Sequence, residues 1–205
     1  MRHGEMIRLL LVDYGEVIST PLPEGTITDM AALADQPRAI FFDRYWQHRA
    51  AYDLGQPPAE YWSDVLARDL SRSPQVVDRL TDIDVDGWLR PNPLTLPTLL
   101  RRVRRTGIQL VLLSNAPEPI ARAIDHSSWS RHFDRRYFSC RLGAAKPDPR
   151  AFQIVLRDLG AKPDEVLFID DRAENTAAAR NLGMRTITFT SASALDRELS
   201  LVERA

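Results

Sequence analysis

Cysteine is nearly absent from this chain of 205 residues, in which Cys140 stands alone. One cysteine excludes an intrachain disulfide and a thiolate metal cage. Such usage is typical of a reducing compartment, so we expect a cytoplasmic protein. Residues 1–8 are polar and charged, and no apolar run has the length of a secretory core or a membrane span. We therefore expect no association with a membrane.

An excess of charge of either sign is also missing, because the formal net charge is −1. Nothing therefore attracts the whole protein to nucleic acid or to an anionic surface, and we expect neither as a partner. Lysine is scarce: Lys146 and Lys162 are the only two among 27 basic residues. The arginines at 101–105 share a predicted helix with apolar residues, which is typical of a solvated helix face. The oligomeric state stays open between monomer and homodimer.

Short apolar runs predict strands buried on both faces, as in a parallel sheet. They lie at 9–12, 108–113, 166–169 and 184–189, with a shorter run at 136–138. Amphipathic stretches alternate with these runs from Pro91 onward. This alternation predicts an α/β fold, with a Rossmann-like parallel sheet and helices on both faces.

Residues 20–90 interrupt this alternation, and nothing in them resembles a strand. Helical spacing predicts helices over 28–52, with a break at Pro37, then over 59–70, and a short one after Ser73. We therefore predict an all-helical unit over 20–90, inserted directly after the first strand. Residues 1–19 and 91–205 would form the sheet-containing core.

Polar side chains follow three of the predicted strands at their carboxyl ends, where open α/β sheets bind their ligands. They are Asp13, Ser114 with Asn115, and Asp170 with Asp171. A turn-capping role explains one such ending equally well, but three endings together are harder to explain in that way. Lys146 adds an ammonium from a Gly-Ala-rich loop. Several carboxylates with few competing cations suit a hard ion, and Mg²⁺ with phosphate is the usual pairing.

The order of these residues resembles the four motifs of the haloacid dehalogenase-like hydrolase superfamily. The matching segments are Asp13-Tyr14-Gly15-Glu16-Val17, Leu113-Ser114-Asn115, Lys146-Pro147 and Phe168-Ile169-Asp170-Asp171. The resemblance covers nearly the whole chain and makes the unit at 20–90 a C1-type cap. It is greatest to small bacterial sugar-phosphate phosphatases whose first motif also has glycine at the second position after the nucleophile.

The resemblance implies a role for each motif residue. Asp13 would attack phosphorus and form an aspartyl-phosphate, while Ser114 and Lys146 would bind the phosphoryl oxygens, with Asn115 beside them in the second motif. Mg²⁺ would be held by Asp13, the carbonyl of Gly15 and Asp171, and by Asp170 through a water. Asn175 would either brace this loop or cap a helix.

Gly15 departs from the family pattern, because most phosphatases of the family carry a second Asp there as general acid and base. Three explanations stay open. In the first, the enzyme is a slower phosphatase, or one that takes the proton from substrate or water. In the second, Glu16 substitutes for the missing acid. In the third, the reaction needs no such acid, as in a 2-haloacid dehalogenase, where Asp13 attacks carbon without metal and halide leaves unprotonated.

The paired acids at Asp170 and Asp171 favour Mg²⁺ and phosphate over the dehalogenase. A phosphonatase needs a lysine in the cap, and residues 1–145 contain none. A catalytically weak binding domain remains as a further alternative. We therefore predict a Mg²⁺-dependent phosphatase of a small phosphorylated metabolite, with sugar phosphates as the first choice.

Four side chains of one predicted cap helix are candidates for substrate binding: Trp46, His48, Arg49 and Tyr52. Charged groups beside aromatic rings suit a hydroxylated, anionic small molecule. The next helix carries Tyr61 and Trp62, and for Trp62 packing in the core of the cap is the favoured interpretation.

Overall fold

A computed structural model describes residues 7–202 of the chain. The predicted core also includes residues 1–6 and 203–205, which lie outside the described residues. Five parallel strands form one sheet in the order β3-β2-β1-β4-β5. The strands are β1 (Leu9–Val12), β2 (Gln109–Ser114), β3 (Arg135–Phe138), β4 (Val166–Asp170) and β5 (Arg185–Thr188).

The central strand β1 pairs with β2 on one side and with β4 on the other, so that Val12 lies beside both Leu112 and Ile169. All four of its residues are buried, because alternate side chains enter separate apolar clusters on the two faces of the sheet. Leu10 and Val12 belong to one cluster, and Leu9 and Leu11 to the other.

Helices cover both faces of the sheet. They are α5 (Thr95–Thr106), α6 (Glu118–His126) and α10 (Ala192–Val202) on the first face, with α8 (Pro149–Leu159) and α9 (Ala173–Asn181) on the second, and a short α7 (Ser139–Leu142) follows β3. The Rossmann-like α/β fold predicted from the alternation of apolar runs is confirmed.

Four helices lie between β1 and α5, and we call them the helical insertion. They are α1 (Glu24–Leu33), α2 (Arg38–Asp53), α3 (Pro58–Leu66) and α4 (Pro74–Trp88). The helix predicted over 28–52, with a break at Pro37, is two helices, α1 and α2, and Pro37 immediately precedes α2. The helix predicted as short continues to Trp88, and its Asp84 is buried within the insertion.

The helical insertion has an apolar cluster of its own, with buried members from each of its four helices, among them Met30, Phe41, Trp62 and Leu80. Its two connections to the core run side by side: Thr20 N donates to Arg90 O at 2.8 Å, and Asn92 N donates to Ile18 O at 2.6 Å. The predicted boundaries after residues 19 and 90 fall at this pair and stay a prediction. Over residues 7–202, no helix is both long enough and apolar enough to cross a bilayer.

Candidate active site

Asp13 directly follows the central strand, and its side chain is buried against the carboxyl edge of the sheet. Its N–H donates to Ile169 O at 2.9 Å, which continues the pairing with β4 by one residue. Its Oδ1 accepts from Tyr14 N at 2.7 Å. The backbone therefore holds the carboxylate at the point where the chain leaves the sheet.

Lys146 lies between two carboxylates. Its Nζ is 2.7 Å from Asp13 Oδ1 and 2.7 Å from Asp170 Oδ2, and its side chain is only 1% exposed. Burial alone would lower the pKa of Lys146, but the attraction of both carboxylates outweighs it and the pKa is raised. The lysine is therefore a fixed positive charge in contact with Asp13.

Asn115 fixes the backbone of the lysine. Its Nδ2 donates to Lys146 O at 2.7 Å, and its Oδ1 accepts from Lys146 N at 2.9 Å. The end of β2 thus positions the loop that carries Lys146, which is 31 residues further along the chain. Ser114 precedes Asn115, is buried, and lines the same cavity as Asp13.

Asp170 is completely buried and is held by groups from its own loop and from α9. Asn175 Nδ2 donates to its two oxygens at 2.9 and 3.1 Å, and Arg172 N donates to Oδ1 at 2.9 Å. Asn175 was expected either to brace this loop or to cap a helix, and its hydrogen bonds to Asp170 are the contact that bracing requires. With Lys146 on Oδ2, both oxygens of Asp170 already have partners.

Asp171 completes a cluster with Asp13 and Asp170 in which one carboxylate oxygen of each lies within 4.8 Å of the others. Burial raises the pKa of Asp13 to about 7; Lys146 opposes this, and Asp170 adds to it. Burial and the charge of Asp170 likewise raise the pKa of Asp171. One ammonium thus faces three acids, and this deficit of positive charge suits a divalent cation bound by oxygen.

Position 15 has room for a Cβ atom. A Cβ on Gly15 would lie 3.8 Å from the Trp88 ring, an ordinary contact distance. Crowding at the Cβ position therefore does not explain why glycine stands here. The next residue, Glu16, is exposed, has a left-handed φ of 56° and lines the cavity.

A cavity of about 360 Å³ lies between this cluster and the helical insertion. The core contributes Asp13, Tyr14, Gly15, Glu16, Ser114, Asn115, Ala116, Ile120, Lys146, Asp171, Arg172 and Asn175 to its wall; the insertion contributes Trp46, Arg49, Asp53 and Trp88. The structure thus brings together around one cavity most of the motif residues that are far apart in sequence.

The four substrate-binding candidates are placed differently. Trp46 and Arg49 line the cavity, whereas His48 and Tyr52 are not part of its wall. Tyr52 is fully buried and stacks on Tyr61 with ring centroids 4.0 Å apart. Trp62 is also fully buried, in the position expected for a packing residue.

Arg49 is buried and paired within the insertion. Its Nε donates to Asp53 Oδ1 at 2.8 Å, and its Nη1 donates to Tyr45 OH and to Asp84 Oδ1, the latter at 3.3 Å. The guanidinium carbon lies 5.6 Å from the centroid of the Trp88 ring. Arg49 therefore reaches the cavity wall as a member of a buried ionic cluster.

Sequence reasoning missed Asp53 and Trp88, the other two insertion residues of the wall. Asp53 stands four residues after Arg49, a spacing that places both on one helix face, and Trp88 stands four after Asp84 in the same way. These spacings were the available signal. They do not indicate which face of each helix borders a cavity.

A parallel sheet with a lysine and three acids at its carboxyl edge defines an α/β protein with an acidic candidate active site. The model of the haloacid dehalogenase-like hydrolases matches residues 21–183. The chain therefore belongs to the haloacid dehalogenase-like hydrolase family, as the order of its motifs predicted.

Two curated relatives illustrate this similarity. The bifunctional epoxide hydrolase 2 of Rattus norvegicus is 44% identical over 73 residues, which are 36% of this chain and 13% of that protein. A phosphatase of Mycobacterium tuberculosis is 35% identical over 132 residues, covering 63% of this chain and 60% of the relative. The matches span less than two thirds of either relative.

Solved structures agree with the fold. A family enzyme of Bacteroides thetaiotaomicron, in a magnesium complex, superimposes with a TM-score of 0.72 at 25% identity, covering 90% of this chain and 93% of the other. A 2-haloacid dehalogenase of Pseudomonas syringae has a TM-score of 0.64 at 18% identity, covering 90% and 86%. The second similarity concerns the fold alone.

Proposed function

We propose that this hydrolase is a Mg²⁺-dependent phosphatase of a small phosphate ester, with sugar phosphates as the first choice. The observation that carries the proposal is the position of Lys146 between Asp13 and Asp170, with Asp171 beside them. A nucleophilic carboxylate, a fixed cation and a further pair of acids are the groups that phosphoryl transfer through an aspartyl-phosphate requires.

Asp13 is oriented to act as the nucleophile. Both Tyr14 N and Lys146 Nζ bind its Oδ1, and among residues 7–202 nothing forms a hydrogen bond with Oδ2. Oδ2 is thus free to form a bond to phosphorus while the bond from phosphorus to the leaving oxygen breaks. Lys146 and the Ser114 hydroxyl would stabilise the negative charge on the phosphoryl oxygens. Water would then hydrolyse the aspartyl-phosphate and regenerate Asp13.

The donor set fits Mg²⁺, because three acids meet one ammonium at the sheet edge. Asp13, Asp171 and the carbonyl of Gly15 would hold the ion, and Asp170 would act through a water because both its oxygens have partners. When bound, the ion would supply positive charge to the phosphoryl oxygens in addition to that of Lys146.

The proton for the leaving oxygen has to come from a group other than residue 15. We propose Glu16 as the acid and base substitute, because its side chain lies on the cavity wall. Glu16→Gln would then lower kcat for esters of poor leaving groups more than for p-nitrophenyl phosphate, whose leaving group departs without a proton. Equal effects on both esters would assign the proton to substrate or water.

The helical insertion would act as a C1-type cap, since it forms one wall of the cavity with Trp46 and Arg49. These two residues are the stronger candidates for contact with the leaving group. His48 and Tyr52 would contact a substrate only after a rearrangement of the insertion, because neither lines the cavity in this structure.

The decisive experiment compares two reactions. We expect Mg²⁺-stimulated hydrolysis of p-nitrophenyl phosphate that is lost in Asp13→Asn and after removal of the metal with a chelator. The competing function is the dehalogenase, which Gly15 favours because halide leaves without a proton. Chloride release from 2-chloropropionate without metal would establish it instead, and the absence of both activities would favour a binding domain.

A further inference from the structure

The wall of the cavity opposite Asp13 contains a carboxylate that the motifs do not account for. Asp53 ends α2, and its side chain is 16% exposed and borders the cavity. Arg49 Nε binds its Oδ1 at 2.8 Å. Within the described part of the chain, Oδ2 has no hydrogen-bond partner. One oxygen is thus held by the insertion and the other is available to a ligand.

A second set of contacts fixes the backbone of Asp53 to the core. The Ser139 hydroxyl donates to Asp53 O and accepts from Ala116 N, the latter at 3.0 Å. Ala116 directly follows Asn115, which positions Lys146. Asp53 is therefore linked through two hydrogen bonds to Ala116, the neighbour of the residue that positions Lys146.

The ionic cluster that meets the cavity through Arg49 and Asp53 has an excess of negative charge. Arg49 is the one cation of a cluster that also contains Asp53 and the fully buried Asp84, so the cluster has one positive and two negative groups. Arg172 is the other arginine on the cavity wall; burial raises the pKa of Asp53 and the charge of Arg172 opposes this rise, but Arg172 also pairs with Glu174 on the exposed surface. Neither arginine thus gives the wall an unneutralised positive charge.

We infer that Asp53 selects a leaving group that is neutral and carries hydroxyls. An ionised carboxylate accepts hydrogen bonds and donates none, so its free oxygen is satisfied by a hydroxyl. An apolar leaving group would remove water from Oδ2 without replacing the hydrogen bond, which is unfavourable. A carboxylate in the leaving group would meet a like charge in a partly buried site. Trp46 and Trp88 border the cavity beside Asp53 and offer ring surface to the carbon skeleton.

This inference rests on the proposed phosphatase activity, and three matched esters test it. Glycerol 3-phosphate, n-propyl phosphate and 3-phosphoglycerate share three carbons and differ in hydroxyls or a carboxylate. We expect kcat/KM to decrease in that order for the wild type. In Asp53→Asn, the ratio of glycerol 3-phosphate to n-propyl phosphate should fall about 10-fold, the size typical for a hydrogen bond to a charged group. The relative rate on 3-phosphoglycerate should rise.

The control is Asp43→Asn, which removes the same charge from an exposed position of the same helix. It should leave all three ratios unchanged. Because each ratio is measured within one variant, partial unfolding of Asp53→Asn does not affect it. Unchanged ratios in Asp53→Asn, or a wild-type preference for 3-phosphoglycerate, would overturn the inference alone. If Mg²⁺ and p-nitrophenyl phosphate give no turnover, the proposed function fails and this inference fails with it.

Discussion

The core and the helical insertion each bury one cation between two carboxylates. In the core, Lys146 lies 2.7 Å from both Asp13 and Asp170. In the insertion, Arg49 lies 2.8 Å from Asp53 and 3.3 Å from Asp84. The two clusters contain the same charges, but they differ in the groups that surround them.

In the insertion, neutral groups form hydrogen bonds with the charged side chains of the cluster. The Tyr45 hydroxyl donates to Asp84 Oδ1 at 2.6 Å and accepts from Trp88 Nε1 at 3.0 Å. The guanidinium also lies over the rings of Tyr45, Tyr52 and Trp88, at 5.3 to 5.7 Å from their centroids. Neutral hydrogen-bonding groups and aromatic rings therefore stabilise the charged side chains of this cluster, which keeps one carboxylate in excess of its single cation.

The cluster of the core contains more acidic groups than basic ones. Asp171 adds a third acid within 4.8 Å, no second cation accompanies it in the described part of the chain, and the pKa of Asp13 is raised to about 7 by burial. A site built this way gains stability from an additional cation. The number of acids in excess of the cations, rather than burial of an ion pair, therefore indicates where a metal would bind.

The largest expected effect is that of Asp13→Asn on catalysis. The amide cannot form the bond to phosphorus, so we expect kcat for p-nitrophenyl phosphate to fall more than about 10³-fold. The variant should remain folded, because the amide oxygen can still accept from Tyr14 N and Lys146. A residual rate within 10-fold of the wild type, with the fold intact by circular dichroism, would contradict the nucleophilic role.

Lys146→Met tests whether the core cluster lacks positive charge. Removing the ammonium leaves two buried carboxylates without their cation, so we expect the free energy of unfolding to fall by about 3–5 kcal/mol. Saturating Mg²⁺ should restore part of this loss, because the ion binds the native carboxylates and not the unfolded chain. Urea unfolding with and without Mg²⁺ measures both effects.

Arg49→Met is the matching change in the insertion. It leaves the buried Asp84 and the partly buried Asp53 without their cation, and we expect a destabilisation of about 3 kcal/mol. Mg²⁺ should stabilise this variant no more than the wild type, since Asp53 and Asp84 lack the third acid that Asp171 adds to the core cluster. Equal recovery of both methionine variants by Mg²⁺ would remove the distinction drawn between the two clusters.

Much of the core could be predicted from the sequence. Apolar runs such as 9–12 and 166–169 are short and unbroken, which predicts buried parallel strands and therefore a common edge for the acids that follow them. The position of Asp13, Asp170 and Asp171 at that edge is a consequence of strand direction alone. The contact of Asn175 with Asp170 was one of two alternatives, because spacing does not give the rotamer of a side chain.

The insertion could be predicted only as helices. Helical spacing gives the face of each helix but not its neighbour, so the pairing of Arg49 with Asp84, 35 residues away, could not be found. Arg49 and Asp53 are four residues apart, a spacing that is typical of an exposed ion pair on one helix face, although both side chains are mostly buried. The role of Ser139, which joins the two regions, depends on a contact across 86 residues.

The smallest expected effect concerns this connection between the two clusters. Ser139→Ala removes the hydroxyl that links Ala116 N to Asp53 O, so we expect a loss of about 1–2 kcal/mol in the free energy of unfolding. Because the change loosens the insertion wall and leaves Lys146 and Asp13 in place, KM should rise several-fold while kcat changes little. Ser127→Ala is the matched control, since its hydroxyl bonds to Ala123 O within the core at 2.9 Å. If both variants shift KM equally, Ser139 stabilises the fold without positioning the wall of the cavity.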